Sequence, residues 1–126
     1  MMSYRLPKSH RLCSRTAVER LFDREGGSRV AVSFPLRAVW RHNPSRPSPG
    51  APAQFMITVP KKRLRHAVDR VTIRRRIRET YRLSHQDYPA SGPTDIAFIY
   101  LADDLQPYAR IEAAMRHLLA RIHSCH

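Results

Sequence analysis

Three stretches of apolar residues have the length and composition of β-strands. Residues 30–41 alternate between apolar and other side chains, which predicts one strand with an edge position or a bulge at Pro35. Residues 54–59 form a compact apolar run that predicts a central strand, and residues 94–101 form a longer apolar run. Together they predict two or three strands followed later by another, in a small sheet of about four strands.

Apolar residues at helical spacing predict three helices. Thr16 and Glu19 have the spacing of a capping box, and helical spacing then continues to the glycine pair at 26–27. Residues 67–84 predict a second helix. A third begins near Pro107, because proline suits a first helical turn. The apolar face of this third helix consists of Ile111, Met115, Leu118, Leu119 and Ile122.

The predicted order of elements is α-β-β-β-α-β-α. Strands joined through a helix, with helices packed on the sheet, indicate a two-layer α+β or α/β sandwich with a mixed sheet. A chain of 126 residues suits one domain, so we predict a single domain over residues 1–126. Residues 1–12 predict a basic extended arm. Residues 43–53 are rich in proline, which fixes φ and removes amide donors, and they predict a flexible loop.

The charge of the chain is strongly unbalanced. It has 23 Lys and Arg against 10 Asp and Glu, a net charge of +13. Like charges repel one another and oppose compaction, so this excess indicates a polyanionic partner. Arginine predominates over lysine, and its planar guanidinium suits contacts with phosphates and bases.

The positive charge is concentrated in residues 61–82, which hold ten Lys and Arg against two acids, Asp69 and Glu79. On a helical wheel, Ile73 and Ile77 share one side, and an arginine row lies on a neighbouring side. The row consists of Arg74, Arg75, Arg78 and Arg82. A merely solvated face normally alternates in sign, so a row of one sign favours RNA binding.

Other classes of function find little support in the sequence. No run of about 18 apolar residues occurs, and no apolar stretch follows the basic N-terminus, so we expect no membrane span, no signal peptide and a cytoplasmic protein. Cys13 and Cys125 make no disulfide framework, and the tail from His123 lacks zinc-site spacing, so we expect no metal or cofactor on the protein. The acids are dispersed and no nucleophile motif occurs, so we expect no catalytic residue.

The basic segment resembles the signature of the bacterial ribonuclease P protein family. In that signature a strand ends in a Lys-Lys pair, here Val59-Pro60-Lys61-Lys62, and a helix follows that carries Arg-Asn-Arg, a basic pair and Arg-Glu, here over residues 67–82. Residues 6–12, Leu21-Phe22, the strand over 95–100 and the closing amphipathic helix match the family as well. The chain departs from the pattern at Arg70-Val71-Thr72, which replaces Arg-Asn-Arg, and at residues 63–66, which lack the usual glycine turn.

The resemblance implies an RNA-binding subunit of the enzyme that trims the 5′ ends of precursor tRNAs, with a ribosomal-protein-like fold. The catalytic RNA subunit would perform the hydrolysis with Mg²⁺, and one protein per RNA would bind that RNA and the 5′ leader of the precursor tRNA. The implied contacts with the catalytic RNA are Lys61, Lys62, Arg70, Arg74, Arg75, Arg78 and Arg82. The implied lining of a leader-binding cleft between the central helix and the sheet is Val18, Phe22, Phe34 and Arg37.

Several interpretations stay open at this point. Core packing explains Phe22 and Phe34 as well as leader binding does, and Trp40 is either a core residue or a stacking platform. A ribosomal or ribosome-assembly protein would share the charge without needing the Lys-Lys, basic-helix, Arg-Glu order. A DNA-binding module would need a recognition helix after a tight helix-turn, whereas this basic helix lies between strands.

Overall fold

The computed structural model describes residues 19, 21–22, 27–42, 53–88 and 94–124. The predicted arm over 1–12 lies outside these residues, as do Val18, both cysteines and most of the predicted first helix. Glu19 and Leu21 have helical backbone. The predicted loop over 43–53 also lies outside them, except for Ala53, which begins a strand.

Four strands and two long α-helices make up the described part of the chain, where three helices were predicted. A 3₁₀ helix, His85–Asp87, follows the first of the two. The elements are β1 (Arg29–Ser33), β2 (Leu36–His42), β3 (Ala53–Thr58), α1 (Ala67–Ser84), β4 (Thr94–Tyr100) and α2 (Tyr108–Ser124). Their order is β-β-β-α-β-α, whereas α-β-β-β-α-β-α was predicted, and the predicted first helix lies mostly outside the described residues.

The sheet is mixed, with the strand order β1-β2-β4-β3. β1 with β2 and β2 with β4 are antiparallel, whereas β3 and β4 are parallel and joined through α1. The prediction of a central strand over 54–59 is therefore wrong, because β3 is an edge strand and β4 lies inside the sheet. β3 is apolar because both of its faces are covered: Phe55 lies in the core beneath the helices, and Met56 packs against a smaller cluster on the other face.

Residues 30–41 form a hairpin instead of the single predicted strand. β1 pairs with β2 from Arg29 opposite Trp40 to Ser33 opposite Leu36, and the cis peptide bond between Phe34 and Pro35 lies in the turn. A proline has no N–H for a ladder, so it is tolerated where the chain reverses. Apolar and other residues alternate through residues 30–41 because each strand of the hairpin has one face on the core. This alternation continues across the turn and therefore resembles that of a single strand.

Both helices pack on the same face of the sheet. Their apolar sides meet Phe98 and Tyr100 of β4 in one continuous core, which also contains Trp40 at 4% exposure. Trp40 is thus a core residue and offers no stacking platform. On the opposite face, Leu21 is 1% exposed and packs against Val39.

Three connections meet at one end of the sheet, where α1 and α2 both begin. The amide of Leu101 donates to the carbonyl of Pro35 (2.8 Å), which ties the segment after β4 to the hairpin turn. Arg63, in the turn after β3, forms an ion pair with Asp103 (3.2 Å) in the segment before α2. The start of α1 and the start of α2 are thereby held beside each other.

The buried hydroxyl of Tyr100 fixes the connection between β4 and α2. It donates to the carbonyl of Asp104 (2.6 Å) and accepts the amide of Gln106 (3.0 Å). Burial raises the pKa of Tyr100, so the hydroxyl keeps the proton that this donation requires. The first turn of α2 is consequently held at a fixed position relative to β4.

Candidate nucleic-acid interface

α1 presents an apolar side to the core and arginines to solvent, as the periodicity predicted. Ile73 and Ile77 are fully buried, whereas Arg74, Arg75 and Arg78 are exposed. Residues three or four positions apart on a helix are neighbours, with Cβ atoms about 5–6 Å apart. The three guanidinium groups therefore form one continuous positive surface.

Six cations between residues 61 and 82 have exposed side chains that make no ion pair or hydrogen bond within the described part of the chain. They are Lys61, Lys62, Arg65, Arg74, Arg75 and Arg78. We call this set the free cations. Five of them are contacts that the family resemblance implied. The resemblance did not include Arg65, although its exposure and its position in the same basic segment suit the same role.

Arg70 has an internal role. Its Nη1 donates to the carbonyls of Leu64 and Arg65, both at 2.9 Å. His66, which precedes α1 as its N-cap, makes no side-chain capping bond. Arg70 therefore holds the turn before α1 in place, and with it the segment that carries Lys61.

Arg82 is also engaged within the protein. Its Nε donates to Glu79 Oε2 (3.1 Å), and its Nη2 donates to the other oxygen of the same carboxylate. The hydrogen bond from Arg82 lowers the pKa of Glu79. The bidentate pair neutralises the charge of Arg82 locally, so Arg82 is less available to bind phosphates than Arg74, Arg75 and Arg78 are.

Two further arginines of the basic segment serve the fold. Arg76 Nη1 donates to the carbonyl of Gln106 (2.7 Å), which joins α1 to the residues just before α2. Arg63 pairs with Asp103, as described above. The ten basic residues of the segment thus separate into six free cations and four that hold neighbouring chain.

Three of the candidate leader-binding residues, Phe22, Phe34 and Arg37, lie within the described part of the chain. Between α1 and the sheet, the described residues form the packed core. Arg37 is exposed and points away from the helices, because its neighbours Leu36 and Ala38 are buried beneath them. Phe22, 47% exposed, directly follows Leu21 on that same outer face. Phe22 and Arg37 therefore belong to the face of the sheet opposite the helices.

Phe34 lies elsewhere. It is 52% exposed in the hairpin turn, and the guanidinium carbon of Arg110 lies 5.6 Å from its ring centroid. Arg110 is in the first turn of α2, on the helical side of the sheet. The core interpretation is thus wrong for both Phe22 and Phe34, and the structure separates Phe34 from Arg37. Its contact with Arg110 was missed because the two residues are 76 positions apart in the sequence.

The described residues also contain no group of three His, Cys, Asp or Glu side chains placed to hold a metal ion. Nor does any helix among them have the length and apolar character to cross a membrane. What the arrangement offers chemically is an extended set of donors and positive charges, suited to binding a polyanion.

Comparison with known proteins gives one consistent result. A family model described as Ribonuclease P matches residues 6–123. The ribonuclease P protein component of Porphyromonas gingivalis is 32% identical over 130 residues, covering 95% of this chain and 88% of the relative. That of Chlorobaculum tepidum is 32% identical over 128 residues, covering 93% and 82% respectively.

Solved structures agree on the fold. The RNase P protein of Staphylococcus aureus superposes with a TM-score of 0.70 at 22% identity, covering 91% of this chain and 98% of that one. The RNase P protein of Thermotoga maritima gives 0.70 at 20% identity, covering 89% and 96%. These likenesses confirm the mixed α+β architecture with a four-stranded sheet.

Proposed function

The chain belongs to the ribonuclease P protein family, and on that premise we propose that its free cations bind the catalytic RNA subunit. Members of this family are subunits of the endoribonuclease that matures the 5′ ends of tRNA, in which RNA performs the chemistry. The protein's part is to bind, and Mg²⁺ acts with the RNA. We place this work in the cytoplasm, with one protein bound to each RNA.

The observation that carries the proposal is the separation of free from engaged cations. Arg74, Arg75 and Arg78 lie on one exposed side of α1, and no acid pairs with them within the described residues. Their mutual repulsion is unrelieved in the isolated protein, and phosphates would turn it into attraction. Each phosphate contact also releases counterions, so this affinity falls as salt rises.

We further propose that the outer face of the sheet takes the 5′ leader of precursor tRNA. Phe22 and Arg37 supply what single-stranded RNA commonly uses, an aromatic ring for a base and a guanidinium for a phosphate. Because the free cations of α1 lie on the helical side, the protein would contact its catalytic RNA and the leader on different surfaces.

The direct test is reconstitution. Protein purified free of RNA is incubated with precursor tRNA and Mg²⁺, alone and with the catalytic RNA. We expect no cleavage by the protein alone, and we expect the protein to increase cleavage by the RNA at limiting Mg²⁺. Cleavage by rigorously RNA-free protein would contradict the proposal.

The competing candidate, a ribosomal or ribosome-assembly protein, is separated by the RNA that the protein retains in cells. The protein is recovered under native conditions and the bound RNA is sequenced. Enrichment of the catalytic RNA and precursor tRNAs supports the proposal, whereas enrichment of ribosomal RNA alone supports the competitor.

A further inference from the structure

Phe34 and Arg110 form an exposed aromatic-cation pair that the functions proposed above do not use. More than half of the Phe34 side chain is exposed, at 52%, although the ring is large and apolar. Arg110 lies over the ring at 5.6 Å, and it makes no ion pair within the described residues. An exposed ring beside a guanidinium is the combination on which single-stranded nucleic acid stacks its bases.

Arg110 also begins a second row of exposed basic side chains, along the flank of α2 that faces away from α1. At 100° per residue, Arg110, His117 and Arg121 fall within about 40° of one another, and all three are exposed. Ala113, between them, is small and exposed, so it would not obstruct an approaching backbone. The acid nearest in sequence, Glu112, pairs with Arg116 (3.6 Å) on a different side of the helix from the stripe. The stripe from Arg110 to Arg121 is therefore unopposed.

The position of this stripe identifies its partner. α1 and α2 pack side by side on one face of the sheet, so the stripe of α2 and the free cations of α1 belong to the same layer of the molecule. Arg37 lies on the opposite face. A large RNA bound along α1 can extend over α2 to its far flank and to Phe34.

We propose that the stripe of α2, with Phe34 at its start, is a second contact for the catalytic RNA. An unpaired base of that RNA stacks on Phe34, a phosphate beside it lies against Arg110, and the RNA backbone that continues along α2 brings a further phosphate to Arg121. The inference rests on the proposed function, because it assigns a further surface to the same partner.

The first experiment measures equilibrium binding of the full-length protein to its catalytic RNA at fixed salt. Phe34→Leu keeps an apolar side chain but removes the ring, and we expect about fivefold weaker binding or more, the usual loss when one stacked base is removed. Phe34→Tyr keeps the ring and should bind as the parent does. Val30→Ala, at 47% exposure in β1, is the control for losing exposed apolar surface and should have no effect.

The second experiment measures the salt dependence of the same binding. Arg110→Gln and Arg121→Gln should each reduce the slope of log affinity against log salt by about 0.7–0.9. Arg29→Gln, which removes an exposed arginine of β1, is the charge-matched control and should leave the slope unchanged. Phe34→Leu should also leave the slope unchanged, because stacking neutralises no phosphate.

Three outcomes would overturn the inference. Unchanged affinity in Phe34→Leu would mean that no base stacks there. A reduced ratio of precursor to mature tRNA affinity in Phe34→Leu, with normal binding of the catalytic RNA, would make the base part of the leader. Equal effects of Arg29→Gln and Arg121→Gln would reduce the stripe to general charge. The proposed function fails separately, if the parent protein does not bind the catalytic RNA or if Arg75→Ala leaves that binding unchanged.

Discussion

Arg75 and Arg76 are adjacent in the sequence and identical in chemistry, yet the structure gives them opposite roles. Arg75 is exposed and belongs to the free cations. Arg76 is half-buried and donates to the carbonyl of Gln106 at 2.7 Å. Replacing each in turn by alanine therefore removes the same charge and the same side chain from one helix, and only the structural context differs.

The Arg76→Ala variant should lose stability. A hydrogen bond from a charged donor is worth about 1.5–3 kcal/mol, and the lower end applies because the site is only partly buried. With an unfolding entropy of about 2.1 cal/mol/K per residue, a loss of about 1.5 kcal/mol lowers the melting temperature of a 126-residue chain by about 6 °C. The salt dependence of RNA binding should stay close to that of the parent, since this guanidinium is already committed to Gln106.

The Arg75→Ala variant should show the reverse. An exposed side chain without partners contributes little to folding, so stability should change by no more than about 0.5 kcal/mol. Binding to the catalytic RNA should weaken by about 1 kcal/mol or more, as loss of a charge-assisted phosphate contact requires. The slope of log affinity against log salt should become shallower by about 0.7–0.9.

Thermal melts and binding measured from about 50 to 200 mM salt give both quantities for both variants. Arg29→Ala, on β1, is the control for losing one exposed arginine away from the helices. If Arg75→Ala and Arg76→Ala changed the slope equally, binding would depend on total charge, and the separation into free and engaged cations would be refuted.

Three other changes test the remaining assignments. Phe22→Ala and Arg37→Gln should lower the affinity of the holoenzyme for precursor tRNA but not for mature tRNA; equal losses of both affinities would remove these residues from the leader surface. Val71→Asn with Thr72→Arg restores the family pattern at a position where Val71 is 44% exposed among arginines. The double variant should bind the catalytic RNA as tightly as the parent or up to about tenfold more tightly, because one charged hydrogen bond is worth about 1.5 kcal/mol. Weaker binding at unchanged thermal stability would indicate an apolar contact at Val71. Glu79→Gln releases the guanidinium of Arg82 and should steepen the salt dependence of RNA binding. The hydrogen bond from Arg82 lowers the pKa of Glu79, so the parent should lose the small stability that this bond contributes as the pH falls through the folded-state pKa, below the usual value of 4.5. A Glu79→Gln variant that lost stability with falling pH to the same extent as the parent would contradict this.

The helices were predictable because their signals are local. Residues 67–84 matched α1 to the residue, and every apolar position assigned to its buried side is buried. The hairpin and the place of β3 were not predictable, because both depend on which strands pair. An apolar run in a strand indicates that both faces of the strand are covered, but it does not indicate whether the strand pairs with one or two other strands.

The site was predictable only as far as a helical wheel describes it. A wheel places Arg74, Arg75 and Arg78 on an open side correctly, but it has no information about carbonyl oxygens from other segments. Arg70 and Arg76 bond to such carbonyls, the latter to a residue 30 positions away. The leader-binding role of Phe34 comes from the family resemblance alone, because the alternation of a strand already puts residues 34 and 37 on opposite faces.

The unpaired charges of α1 link the stability of the protein to its function. Like charges at helical spacing destabilise a helix by about 0.2–0.5 kcal/mol per pair, and Arg78 lies at such spacing from Arg74, Arg75 and Arg82. Together these pairs lower the stability of the free protein by about 1 kcal/mol, less where Glu79 offsets Arg82. Salt screens the repulsion, so raising the salt concentration from low to physiological should raise the melting temperature of the free protein by a few degrees. The same salt should weaken binding to the catalytic RNA, because the charges that repel one another in isolation are those that phosphates would neutralise. If the melting temperature of the free protein fell as salt was raised, its ion pairs would outweigh the repulsion along α1. The arginine row would then not be a destabilising feature that binding of RNA relieves.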